Sequence, residues 1–270
     1  MIVRLLGLVA AACLAAASAA NAQNKIELQW FSQAAYKLTT QTGKVIMIDP
    51  WITGAPLNPQ EHKDLDKLGK VDLILVTHGH GDHLGDAMTL SKKHNVPMWA
   101  PAGLNQTLLT LGQMPGNLVP RMSKSGTIEP FPGVKITMVR AEHSSEMILN
   151  DPVTNKPTSY SAGEPCGWII QLENGFKIYH MGDTGLFGDM KFIGEYYKPD
   201  LVLVPIGGHF VMDPKDAAYA IKEMIKPKMA WPMHYASNPF LKGTPEQFKA
   251  AMGQTSIQII DAKPGDTKQF

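Results

Sequence analysis

The sequence predicts an α/β protein: an αββα sandwich of two mixed β-sheets flanked by helices. Two observations predict it. Short apolar, strand-like runs arrive in two successive rounds, and each round gives way to alternating helical and strand-like segments. The composition of the 270-residue chain also leaves material for a sizeable core, with 44% hydrophobic against 18% charged residues. No long linker, low-complexity tract or short-period repeat divides the chain beyond its N-terminus, so residues 23-270 are expected to form one domain.

The first round reads as a meander of strands at Ile26 to Phe31, Tyr36 to Thr40 and Val45 to Ile48, separated by turn-forming residues. Val71 to Val76 is a near-continuous apolar strand. A helix from about Leu84 to His94 follows, then a strand at Val96 to Ala100 and a helix from Leu104 to Leu111. The second round has strands at Ile128, Val134 to Val139, Gly167 to Leu172 and Phe176 to His180. It continues with a helix at Lys191 to Tyr197, a strand at Leu201 to Ile206 and a helix at Pro214 to Ile225. A strand at Met229 to Pro232, a helix at Pro245 to Met252 and a strand at Ile257 to Ile260 complete it. Ser144 to Glu164, rich in Pro, Ser, Thr and Asn, reads as an inserted surface loop of the length used for lids or binding elements.

The N-terminus reads as a secretory signal over residues 1-22. Arg4 supplies the positive region, Leu5 to Ala17 the apolar region, and Ala20-Asn21-Ala22 a small-x-small cleavage site before Gln23. The apolar run is too short to span a bilayer comfortably, so export without stable membrane insertion after cleavage is expected. Cleavage would remove Arg4 and Cys13, leaving a formally neutral chain with Cys166 as its one thiol. That excludes an intramolecular disulfide, and the apolar neighbours of Cys166 point to a buried, inert thiol. Scattered lysines, no basic run and no aromatic-basic interleaving argue against a nucleic-acid partner and leave a small-molecule substrate.

The chemistry is concentrated in Thr77-His78-Gly79-His80-Gly81-Asp82-His83, directly after an apolar strand. Three imidazoles and a carboxylate so close together are hard to explain structurally, since buried imidazoles need partners and clustered ones are destabilised by protonation. A divalent metal resolves the conflict, because neutral imidazole nitrogen and carboxylate oxygen are suitable ligands. The two glycines are expected to let the chain turn tightly enough for the side chains to converge.

This pattern, His-x-His-x-Asp-His after a strand, resembles the signature of the metallo-β-lactamase superfamily. Later segments resemble its other motifs in order: Ala141-Glu142-His143-Ser144, Met181-Gly182-Asp183-Thr184-Gly185 and Pro232-Met233-His234-Tyr235, with Asp49-Pro50-Trp51 as an early bracing aspartate. Within the superfamily the chain looks similar to metal-dependent hydrolases such as ascorbate-6-phosphate lactonase, on Ile48-Asp49-Pro50-Trp51, Pro205-Ile206-Gly207-Gly208, Phe210-Val211-Met212 and the His234 motif. The signal and the Ser144 to Glu164 insertion depart from those relatives, which weighs against a phosphorylated intracellular substrate.

The resemblance implies two divalent ions, zinc first and manganese or iron as alternatives. His78, His80 and His143 would hold one, Asp82, His83 and His234 the other, and Asp183 would bridge them. It further implies a hydroxide shared by the two ions that attacks an ester, lactone or related acyl bond, with Asp82 and Asp183 counted among the catalytic groups. Phosphodiester or phospholipid hydrolysis and a non-catalytic metal-binding scaffold are the alternatives. Asp49 is expected to orient a ligand histidine rather than merely to start a turn before Pro50. His209 is expected to face the same rim, where it either contacts substrate or polarises its oxyanion, or else takes a structural hydrogen-bonding role. His180 reads as a satisfied core histidine, and His62 and His94 as solvated.

Overall fold

The computed structural model describes residues 25–270, so the expected leader and Cys13 lie outside the described residues. The first apolar runs pair as an antiparallel meander of β1 (Glu27–Ser32), β2 (Ala35–Thr39) and β3 (Val45–Ile48). Three parallel strands extend it: β4 (Leu73–Leu75), β5 (Met98–Pro101) and β6 (Arg121–Met122). Helices α1 (Gly81–Leu84), α2 (Ala87–His94) and α3 (Ala102–Thr110) link them.

The second round repeats the plan with β7 (Thr127–Phe131) and β8 (Val134–Arg140), a hairpin of β9 (Glu146–Asn150) and β10 (Pro157–Ser161), then β11 (Cys166–Gln171) and β12 (Lys177–His180). Parallel strands β13 (Leu201–Pro205), β14 (Met229–Met233) and β15 (Gln258–Ile259) follow. Between and around them lie α4 (Met190–Tyr197), α5 (Pro214–Tyr219, continued as a π-helix over Ala220–Ile225) and α6 (Pro245–Met252). Asp213 caps α5, and a reciprocal Thr244–Gln247 capping box with Pro245 in the first turn starts α6. A last strand, β16 (Thr267–Gln269), crosses back to pair with β1. The two seven-stranded sheets therefore run β16-β1-β2-β3-β4-β5-β6 and β15-β14-β13-β12-β11-β8-β7.

Strand residues divide between two faces at period two, and both faces are covered, which is why the runs read as continuously apolar. Ile46, Ile48, Leu73 and Leu75 point between the sheets with Trp30, Tyr36, Trp168 and Trp231. Met47, Ile74 and Val76 face outward under α2 and α3 with Leu90, Leu104 and Leu108. On the second sheet Val202, Val204 and Ala230 meet Ile193, Ile221 and Phe248 of the outer helices. Each such Leu or Ile contributes about 1.5–3 kcal/mol by leaving water. The expected αββα sandwich is the observed fold.

Three expectations need correction. The Ser144 to Glu164 insertion is a β-hairpin rather than a loop, because Met147 inserts into the outer core of the first sheet while its strand neighbours Glu146 and Ile148 face out. The helix expected over Leu84 to His94 is broken at Gly85, whose φ is +35° and where a Cβ would lie 2.7 Å from Trp51 Cα. His62 and His94 are half-buried rather than solvated, with the His62 ring edge-on to Phe31. The closing strand β16 had no expectation attached to it. Among the described residues no helix is long and apolar enough to cross a membrane.

Candidate metal centre

The functional side chains sit on loops that leave the strands at one end of the sandwich. Asp49 follows β3, and Thr77 to His80 follow β4 and lead into Asp82 and His83 on α1. His143 follows β8, Asp183 follows β12, and His234 follows β14. Loops at the carboxyl ends of parallel strands are where open α/β sheets place ligands, since the side chains there converge without breaking a ladder. The close passage of these loops sets local demands. Gly182 has φ +63°, and a Cβ on it would lie 2.8 Å from Cys166 O and 2.9 Å from Thr77 Cβ. Gln33, Asp49 and His234 also adopt left-handed backbone (φ +49°, +43° and +56°), a conformation that costs about 1–3 kcal/mol outside glycine and collects at functional sites.

Each histidine of the Thr77 to His83 segment has one ring nitrogen held by a defined partner. The Asp49 carboxylate accepts from Thr77 N (2.7 Å), Thr77 Oγ1 (2.6 Å) and His83 Nδ1 (2.7 Å). A carboxylate only accepts, so His83 carries its proton on Nδ1 and turns Nε2 to the interior. Thr77 Oγ1, its hydrogen spent on Asp49, accepts from His78 Nδ1 at 3.0 Å, which leaves His78 Nε2 free. His80 Nε2 donates to Glu146 Oε2 at 2.9 Å, leaving Nδ1 2.9 Å from His78 Nε2. Asp49 thus has the bracing position expected of it.

Asp183 lies at the centre. Its Oδ1 is 3.2 Å from His83 Nε2, and its Oδ2 is 3.0 Å from His234 Nε2 and 3.6 Å from His143 Nε2. Asp82 Oδ2 is 3.4 Å from His234 Nε2 and 3.8 Å from His83 Nε2. Gln33, in the β1–β2 turn, donates from its side-chain Nε2 to Asp82 Oδ2 at 2.8 Å, and its backbone carbonyl accepts from His234 N at 3.1 Å.

Burial alone would strip charge from the cluster, and it does hold His78 and His143 below the ordinary histidine range. Burial opposes a proton on His234 as well, but Asp183 and Asp82 outweigh it and lift that histidine to about 9. His83 is raised against burial by Asp183, Asp82 and Asp49. The Asp183 and Asp82 carboxyls are correspondingly held far below theirs, despite burial, chiefly by His234 and His83. The carboxylates therefore demand compensating positive charge at this point.

The side chains fit a metal. His78, His80, His143 and Asp183 form one group, and Asp82, His83, Asp183 and His234 a second; within each, the donor atoms all lie within 4.8 Å of one another. Asp183 Oδ1 and His83 Nε2 face each other, buried and without a hydrogen-bond partner. Leaving a buried polar atom unpaired costs about 1–3 kcal/mol, and a cation between such atoms removes the cost. All seven residues singled out as ligands in the sequence are thus brought together.

Above the cluster a cavity of about 460 Å³ is lined by His80, Asp82, His143, Asp183 and His234, with Trp51, Phe210, Ser144, Ser237 and Asn238 around them. His209 is not brought into it. Gly208 and a left-handed His209 (φ +61°) turn the ring outward, where it stacks on Phe240 at 5.0 Å and lines a neighbouring cavity. His180 is buried, as expected, with Nε2 donating to Ala34 O (2.9 Å) and Nδ1 accepting from Gly182 N (3.2 Å). Cys166 is buried on β11, and burial raises its thiol well above the usual range. Gln33 and Glu146 were not anticipated. Gln33 left one signal, an amide between apolar runs; Glu146 left none, because the hairpin that carries it read as a loop.

A two-sheet sandwich with a His/Asp centre at its strand ends defines a class, the metal-dependent hydrolases. Residues 44–235 match the family model described as a beta-lactamase superfamily domain. A UPF0173 metal-dependent hydrolase of Polaromonas sp. is 55% identical over 266 residues, covering 98% of this chain and 97% of the relative. A second, from Polynucleobacter asymbioticus, is 56% identical over 255 residues, covering 94% and 90%. Among solved structures, Igni18, a metallo hydrolase of the archaeon Ignicoccus hospitalis, superposes with a TM-score of 0.78 at 33% identity, covering 91% of this chain and 98% of that one. The chain belongs to the beta-lactamase superfamily and, within it, to the UPF0173 metal-dependent hydrolases.

Proposed function

We propose that this enzyme hydrolyses an ester, lactone or related acyl bond in a small-molecule substrate with the help of two divalent ions. His78, His80 and His143 would hold one and Asp82, His83 and His234 the other, with Asp183 reaching both. Zinc is the first expectation, and manganese or iron suits the same donors. The observation that carries the reading is that two nitrogen-and-oxygen donor sets share Asp183 at the floor of one cavity. When bound, such ions polarise a carbonyl oxygen and bring the pKa of a coordinated water down to about 7.

The chain's own residues orient and select. Asp82 stays ionised at the cavity floor, held by Gln33, and can accept a hydrogen bond from the water that adds to a carbonyl and so aim it. Trp51 and Phe210 wall the cavity, while Ser144, Ser237 and Asn238 offer neutral hydrogen-bonding groups. The lining residues include no Lys or Arg, which supports an uncharged acyl substrate over a phosphodiester or phospholipid, whose phosphate favours a fixed cationic partner. The likeness to ascorbate-6-phosphate lactonase supports a lactone, and the neutral lining supports one without the phosphate. His209, stacked on Phe240 beside Phe210, shapes the entrance rather than touching the reacting atoms. The leader read in residues 1-22 supports an exported enzyme.

The test is a parallel assay of the mature protein on a carboxylic ester or lactone, a phosphodiester and a β-lactam, each with and without chelator. Chelator-sensitive turnover of the ester or lactone alone is the expected result. Preference for the phosphodiester would replace this reading, and inactivity on all three with metal bound would favour a scaffold. Asp183→Asn should reduce both metal content and turnover; an unaffected variant removes the shared-carboxylate arrangement.

A further inference from the structure

The β9–β10 hairpin is built onto the loop that carries His78 and His80. A Cβ on Gly79 would lie 2.3 Å from Ala162 Cβ and 3.0 Å from Glu146 O, so the glycine is there for close approach of the hairpin rather than for a left-handed turn. Gly79 N donates to Ser145 Oγ (3.3 Å), Ser145 Oγ donates to Ala162 O (3.3 Å), and Ala162 N donates to Ser145 O (2.9 Å). Thr107 of α3 donates to Ser161 O at 3.0 Å, and Met147 is anchored in the outer core of the first sheet. Glu146 therefore begins a strand whose base is fixed, in register opposite Ser161.

From that base the Glu146 carboxylate accepts a hydrogen bond from His80 Nε2 at 2.9 Å, with Ser144 Oγ 3.4 Å from the same nitrogen. His80 can then present only Nδ1 to the cluster, 2.9 Å from His78 Nε2. The arrangement repeats, on the open side, what Asp49 does for His83 in the buried interior at 2.7 Å. We propose that Glu146 is a positioning residue of the metal centre, fixing the tautomer and ring angle of His80, and that the inserted hairpin is thereby a structural part of the site rather than a free lid. The hydrogen bond from His80, and then that from Ser144, hold the Glu146 carboxyl below the usual glutamate range, as expected of a carboxylate engaged in this way. The proposal rests on the reading of His80 as a ligand.

An ordinary exposed ion pair makes a different prediction, since such pairs contribute little and their loss leaves a neighbouring site unchanged. The test uses the mature chain and its Glu146→Ala, Glu146→Gln, Glu146→Lys and His80→Ala variants, each checked for folding by circular dichroism. Zn²⁺ affinity is read by competition with a chromophoric chelator, stoichiometry by elemental analysis, and ligand geometry by the visible spectrum of the Co²⁺-loaded protein. Glu146→Ala and Glu146→Lys should weaken one of the two ions by about 10–100-fold and alter the Co²⁺ spectrum, the usual scale for losing a carboxylate behind a ligand histidine. Glu146→Gln, whose carbonyl still accepts from Nε2, should recover most of that loss. Wild-type affinity and spectra in all three Glu146 variants, with an ion lost in His80→Ala, would overturn the positioning role alone. Two ions retained at full affinity in His80→Ala would overturn the ligand reading beneath it.

Discussion

Asp49 accepts three short hydrogen bonds from a backbone conformation that glycine favours, so its carboxylate is matched to its donors and not to its local geometry. In Asp49→Asn the amide NH₂ must face at least one of those donors. The expected result is a stability loss of about 1–3 kcal/mol in denaturant titration and metal binding weakened about 10–100-fold through His83. His180 ties the Asp183 loop to the other sheet through Ala34 O, and burial holds it below the ordinary histidine range, with Asp49, His83 and Asp183 also facing it. Once pH falls through about 6.5, the unfolded chain takes up a proton that folded His180 still refuses, so stability decreases with acid until the lower folded value is reached. His180→Gln should flatten the fall in unfolding free energy between pH 7 and 5; an unchanged slope would show that His180 does not titrate there. The seven proposed ligands and Asp49 were legible because each stands at the end of an apolar run. Gln33 and Glu146 were not, because Gln33 lies beside no motif, Glu146 falls just past the His143 motif in a segment that reads as a loop, and only folding brings them to Asp82 and His80.

At the scale of elements, the hairpin divides into a fixed base and a tip organised by Asp151, which accepts from Val153 N, Thr154 N, Thr154 Oγ1 and Tyr160 Oη. The contacts to the His80 loop and the outer core belong to the base, so replacing residues 151–156 with a short turn should leave the melting temperature and metal affinity unchanged. A loss of metal on trimming would mean that the tip reaches the site. The hairpin was hidden because Pro, Ser, Thr and Asn mask its alternation, and only Met147 is fully buried in it. The helix over Leu84 to His94 was misread in the other direction: its apolar spacing continues through Gly85, while the approach of Trp51 forces the chain to break there.

Over the whole molecule, the two sheets share one plan, four antiparallel strands followed by three parallel ones, and the centre lies where their loop ends meet. The first sheet is completed from the far end of the chain. Ile26 and Phe270 exchange backbone hydrogen bonds, Asp266 O accepts from Trp30 N, and Trp30 O accepts from Gly265 N. Such bonds contribute about 0.5–1.5 kcal/mol each, so truncation before residue 263 should lower the melting temperature, by about 2–4 °C for each kcal/mol lost. It should also loosen Gln33, whose turn follows β1 and whose carbonyl accepts from Trp30 Nε1. A truncated chain that melts like the full one would make β16 dispensable.

The sandwich and the seven-residue cluster could be read before folding because both are written in local order: apolar period along each run, and chemistry placed at the run's end. Helix breaks, the hairpin, the closing strand and the carboxylates behind the histidines could not, because each depends on residues far apart in sequence. Gly79 and Ala162, Gly85 and Trp51, Glu146 and His80, and Phe270 and Ile26 become neighbours only when the sheets pack, and contact distance, not sequence pattern, decides what each of them does.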